Sequence, residues 1–185
     1  MIRGFIILLA GLILFPDKAF SQWEEATLTT GFSLPPVALV DIEPGTDNSL
    51  SFTAIPASES GVAPEFQQSS SQALWLNYSS ALPEFVNTRS IVAQISGGTL
   101  PEGVSLKMEA LPFEGSGAGQ VGQPLGEILL TNQPQSIISN VGNCFTGDGE
   151  NNGHQLVFSI EVTDYSQFAA TQEASFTILY TISDN

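Results

Sequence analysis

Residues 155–162 read Gln-Leu-Val-Phe-Ser-Ile-Glu-Val, and their two-residue alternation decides the fold class. Leu156, Phe158, Ile160 and Val162 fall on one side, while Gln155, Ser159 and Glu161 fall on the other. A strand sends successive side chains to opposite faces, so the first set is suited to burial and the second to water. The pattern recurs at Phe176, Ile178, Tyr180 and Ile182 against Thr177 and Thr181. It appears again at Val104, Leu106 and Met108 against Ser105, Lys107 and Glu109, and at Leu74, Leu76 and Tyr78 against Trp75, Asn77 and Ser79. Shorter candidates are 26–32, 37–42, 50–55, 90–96, 126–131 and 135–139.

Turn chemistry separates these segments. Glu43-Pro44-Gly45, Gly97-Gly98, Pro101-Glu102-Gly103 and the run from Gly147 to Gly153 supply positive or fixed φ where strands must end. The polar stretch 57–72, with its Gln67–Gln72 run, reads as a long exposed loop. Beyond the first residues no segment keeps a helical period, and helix is confined to a turn around 164–170. The expected fold is all-β: an antiparallel immunoglobulin-like β-sandwich of about 8–10 short strands.

Composition narrows the function. The chain has 185 residues, enough for one domain of ordinary size, and 42% of them are hydrophobic. Four Lys and Arg stand against 19 Asp and Glu, a formal net charge of −15. Nucleic-acid binders need clustered cations to displace counterions from phosphates, and anionic lipid repels a chain of this sign. No nucleic acid and no stable membrane insertion are therefore expected. The single Cys144 allows neither an intramolecular disulfide nor a Cys-rich zinc site, and it reads as a free, partly buried thiol.

Residues 1–21 have the form of an export signal. Arg3 is followed by an apolar run from Phe5 to Phe15, and Ala19-Phe20-Ser21 places small residues where a signal peptidase cuts. The run is too short to span about 30 Å of hydrocarbon as a helix. The reading is a signal peptide at 1–21 and one β-sandwich domain at 22–185, so the protein is expected in the periplasm, at the cell surface or outside the cell. Without 1–21 the chain keeps two cations, Arg89 and Lys107, among 18 carboxylates.

Several motifs invite chemistry. Gly117-Ala118-Gly119-Gln120-Val121-Gly122 matches a dinucleotide-binding glycine pattern, but Pro124 and Gly126 prevent the helix that would hold phosphate, so it reads as a flexible loop. Asp148, Glu150 and Asn152 space oxygen ligands as a calcium loop does, although Ser159 stands where a bidentate Glu belongs. They are the candidate metal ligands, with Ca²⁺ the only cofactor suggested. Trp75 is the candidate for stacking on a sugar. His154, the only histidine, reads as a turn or surface residue at the entry to a strand, and no nucleophile elbow accompanies it. Asn77-Tyr78-Ser79 is a glycosylation sequon within a strand pattern. No carboxylate pair stands out for hydrolysis, and no catalytic residue is assigned.

Leu76-Asn77-Tyr78-Ser79, followed by Phe85, Arg89, Val92, Gln94 and Ile95, resembles the middle of subunits from chaperone–usher fimbriae of the coli surface-antigen class. The run Ala26-Thr27-Leu28-Thr29-Thr30 leading to 36–41, and the closing segment 174–182, are similar in layout. The chain also resembles uncharacterised exported proteins of Bacteroidota. The fimbrial resemblance implies a non-enzymatic surface or adhesion subunit whose first segment is donated to a neighbour. Leu28, Thr30 and Phe32, projecting to one side, are then the partner-binding residues, and other protein subunits or surface ligands the partners. The alternatives are a monomeric glycan- or calcium-binding module and a small carboxylate hydrolase.

Overall fold

The structure, a computed structural model, describes residue 28 and residues 30–45, 49–68, 72–167 and 174–185. The chain divides into two units, Met1–Ser33 and Leu34–Asn185. In the first unit Leu28 and residues 30–33 belong to no strand, contrary to the strand expected at 26–32. Alternation supplies a strand face but not a partner edge, and Gly31 adds ordering entropy. Residues 26, 27 and 29, with the export segment 1–21, lie outside the described residues.

The second unit is all-β and antiparallel throughout. Its strands are β1 (Val37–Glu43), β2 (Phe52–Ile55), β3 (Glu65–Gln68), β4 (Leu74–Ala81), β5 (Arg89–Gly98), β6 (Val104–Glu114), β7 (Ala118–Pro124), β8 (Ile128–Leu129), β9 (Gln135–Phe145), β10 (Gly153–Val162) and β11 (Phe176–Asp184). The hydrogen-bonded order is β11-β5-β9-β4-β10-β6-β8, with β1 also on β4, β7 also on β9, and β2–β3 a separate hairpin.

One edge of β4 makes the sheet turn over on itself. Leu74–Leu76 pair with β10, whereas Ser79 and Ser80 pair with the end of β9. β9 in turn pairs with β5 along its first half, where the register slips near Ile137 and again near Asn140, which has a φ of +57°. These bulges let Ile137 and Ile138, adjacent in sequence, both be buried. The result is two layers: β1, β4, β10, β6 and β8 face β11, β5, β9 and β7. Leu76, Leu106, Met108 and Phe158 from one layer meet Ile91, Ala93, Ile138 and Val141 from the other in one core. Tyr180 Oη donates to Met108 Sδ at 3.5 Å across it.

Two loops expected from composition are strands. The glycine run expected to be a flexible loop contains β7, paired with β9 from Ala118↔Phe145 to Pro124↔Ile138. Its glycines permit close backbone approach: a Cβ on Gly119 would lie 2.2 Å from the Asn143 carbonyl, and one on Gly117 2.3 Å from that of Phe145. The polar stretch 57–72 contains β3, with Phe66 opposite Ala54 of β2. Residues 165–167 form a turn, and 168–170 lie outside the described residues. Among the described residues no helix is long and apolar enough to cross a membrane.

Candidate functional site

β1 and β11 each have a strand on one edge only among the described residues, β4 for β1 and β5 for β11. They run beside each other without a ladder. Between them opens a cleft of about 390 Å³ lined by Ile42, Leu50, Leu74, Phe158, Ile178 and Tyr180. Val40, Ile42, Phe176, Ile178, Tyr180 and Ile182 are only partly buried against the core. The cause lies in the alternation. β11 sends every second side chain inward, and at a sheet edge no neighbouring strand closes over them. Desolvation still raises the Tyr180 phenol above its ordinary value.

Arg89 holds one end of these edges in place. Its side chain is buried, and Nε donates to Asp184 Oδ1 at 2.6 Å. Nη1 donates to the carbonyl of Val37, to Ser80 Oγ at 3.2 Å and to the carbonyl of Ala81 at 3.4 Å. One guanidinium thus ties the start of β1 and of β5 to the ends of β4 and β11. Asn185 reinforces the tie: its backbone N–H donates to the Thr88 carbonyl at 3.2 Å, and it meets Ser90 Oγ at 2.9 Å.

Leu28 and Phe32, expected to be donated, are 88% and 95% exposed, and Thr30 is exposed as well. The expected calcium ligands are arranged otherwise. Asn152 Oδ1 accepts from Ser116 N at 3.1 Å and Oγ at 3.2 Å, and Nδ2 donates to the carbonyls of Asp148 at 2.9 Å and Glu150 at 3.3 Å. Its amide closes the turn, and Asp148 and Glu150 contribute main-chain carbonyls to that closure. Among the described residues no group of three His, Cys, Asp or Glu is placed to hold a metal. Asn152→Ala is expected to cost about 1 kcal/mol and lower the melting midpoint by roughly 3 °C. Millimolar Ca²⁺ should move the midpoint of neither protein by more than about a degree in thermal melts.

Trp75 is 5% exposed, so it offers no open face for a sugar. It lies on the side of β4 opposite Leu74, Leu76 and Tyr78, which shows that this strand is covered on both faces. The sequon asparagine is also inaccessible: Asn77 is buried, with Nδ2 donating to the Gly149 carbonyl at 3.0 Å. Cys144 is a half-buried free thiol, and burial pushes it up to about 11.

His154 is fully buried, not a surface residue. Nδ1 lies 2.7 Å from the Leu111 carbonyl and Nε2 2.9 Å from Tyr78 Oη, which also donates to the Val121 carbonyl. The cluster joins β10, β4, β6 and β7, and the Phe113 ring lies edge-on to the imidazole at 6.0 Å. A neutral imidazole leaves Tyr78 one proton for two acceptors. A second imidazole proton would satisfy both, at the cost of burying a charge. Desolvation is the larger effect, and it holds His154 below its ordinary 6.5. Burial likewise raises the Tyr78 phenol.

Both Arg89 and His154 carry a signal that period-two reading contains. Arg89 precedes Ile91 and Ala93, and His154 precedes Leu156 and Phe158, on the inward side of their strands. Polarity argues for the surface, but position along the strand places them inside. Compared with protein-family models, curated proteins and solved structures, the chain matches none.

Proposed function

We propose that this chain is an exported, non-enzymatic surface or fimbria-like subunit that joins other protein subunits by strand addition. The observation that carries this reading is the cleft between the β1 and β11 edges, where Ile42, Leu50, Leu74, Phe158, Ile178 and Tyr180 stand beside Ser49, Ser175 and Thr177, in a chain that exposes Leu28 and Phe32. A strand laid along an open edge satisfies its N–H and C=O groups and seats alternate side chains in the cleft. Leu28, Thr30 and Phe32 of a neighbouring copy are the donated set. Charge supports this choice of segment. Residues 26–40 contain no ionisable side chain, whereas most other surfaces of a chain at −15 repel their own kind. Pro35-Pro36 removes two backbone donors and separates this segment from β1.

The test is light scattering over a concentration series of the chain from Gln22 onward, with hydrogen exchange on the same samples. Assembly is expected to grow with concentration, and to fail when Leu28 and Phe32 are both replaced by Asp. Amides at 28–32 should gain protection only on assembly. If they are as protected as those of 156–162 in a dilute monomer, the segment is an ordinary strand of its own domain and the reading is wrong.

A further inference from the structure

The turn between β4 and β5 presents an aromatic ring under unusual conditions. Val86 N–H donates to the Pro83 carbonyl at 3.3 Å, and Phe85, third in this turn, has a φ of +75°. That position in a type II turn calls for glycine or asparagine, and a bulky residue held there is strained. The strain brings no burial in return, because Phe85 is 92% exposed. Nor is the turn a loose tip. Leu82 N–H donates to Asn143 Oδ1 at 2.7 Å on one side, and Thr88 is bonded to Asn185 on the other. A rigid base therefore holds an apolar side chain out in water.

The residues that lead into Phe85, Leu82, Pro83 and Glu84, line a hollow of about 780 Å³ together with Leu34, Pro36, Cys144 and Phe145 among others. Glu84 is the only charged residue in its lining. Phe145 is 51% exposed and Leu34 72% exposed, so the hollow and its rim form one apolar face. Arg89 and Lys107, the cations among the described residues, are both paired with carboxylates and do nothing to neutralise other surfaces. Two copies of the chain from Gln22 onward, each with two cations against 18 carboxylates, can approach closely only where carboxylates are sparse, and this face meets that condition.

We infer that this face is a self-association surface, in which Phe85 of each copy enters the hollow beside Phe85 of the other. A projecting ring and a hollow on one face let a two-fold axis use each of them twice, as an isologous contact does. A hollow of about 780 Å³ has room for a benzyl group. The contact closes at two copies. It uses neither the β1 and β11 edges nor residues 28–32, and it stands independently of strand addition.

The experiment uses the chain from Gln22 onward carrying Leu28→Asp and Phe32→Asp, which removes donation of the first segment. Sedimentation equilibrium should show a monomer–dimer equilibrium that ends at the dimer. Adding Phe85→Asn, which suits the left-handed backbone, should weaken the dimer at least roughly tenfold without lowering the melting midpoint. A chain that stays monomeric at every concentration overturns the inference, as does a Phe85→Asn chain that dimerises equally well. Growth beyond the dimer that depends on Phe85 also overturns it, because the contact would then be head-to-tail. Dimers of the unaltered chain that Leu28→Asp and Phe32→Asp remove, and Phe85→Asn does not, would assign the contact to the first segment instead.

Discussion

Replacing Arg89 by Met is expected to destabilise the domain by about 3 kcal/mol and lower its melting midpoint by roughly 10 °C. The substitution keeps the buried aliphatic stem but removes every polar contact of the guanidinium. Asp184 is half-exposed and can turn to water, so its loss is the smaller part. The carbonyls of Val37 and Ala81 and the Ser80 hydroxyl lose their common donor at the junction of β1, β4, β5 and β11. Unsatisfied buried acceptors cost about 1–3 kcal/mol each when water cannot reach them. Because the damage falls where β1 begins and β11 ends, hydrogen exchange should quicken first in those two strands. Lysine will not substitute, since one ammonium cannot reproduce the fork of the guanidinium. A midpoint within about two degrees of the unaltered chain would show that Arg89 is not the tie between these edges.

The second large effect is centred on His154. Tyr78→Phe should cost about 2 kcal/mol, because it leaves His154 Nε2 and the Val121 carbonyl facing a ring edge in a buried place. The pH dependence has a definite sign. The unfolded chain takes a proton on this histidine near pH 6.5, whereas burial delays that proton in the folded chain to lower pH. Between the two values unfolding binds a proton. The stability contribution is therefore complete above about pH 6.5 and is lost as pH falls below it, at up to about 1.4 kcal/mol per pH unit. The groups around the imidazole are the Tyr78 phenol, the Phe113 ring and the carbonyls of Leu111 and Val121, with Cys144 acting on Tyr78. The carboxylates add their own pH dependence at lower pH, so urea unfolding at pH 7.5 and 5.5 isolates this one. His154→Leu should flatten the difference between the two values. An unchanged slope in that variant would show that another group carries it.

The sequence by itself determined the class of the fold, since the alternation at 74–79, 104–109, 156–162 and 176–182 is readable one residue at a time. It also contained the inward positions of Arg89 and His154, as members of the same period as Ile91 and Leu156. Reading them as buried required setting period above polarity, and only the partners that tertiary contact supplies justify that choice. A lone guanidinium belongs inside when Asp184, Val37 and Ser80 converge on it from 95, 52 and 9 positions away in the chain. The strand β7 was not legible, because its glycines carry no side chain to alternate and owe their place to the nearness of the β9 backbone. Asn152 had the spacing of a metal ligand, yet its amide is used within the turn and by Ser116, 36 positions away. Which edges stay open was decided only in three dimensions. Any alternating segment can pair on both sides, and whether β1 and β11 find a second neighbour depends on how β9 switches from β5 to β4 and folds the sheet onto itself.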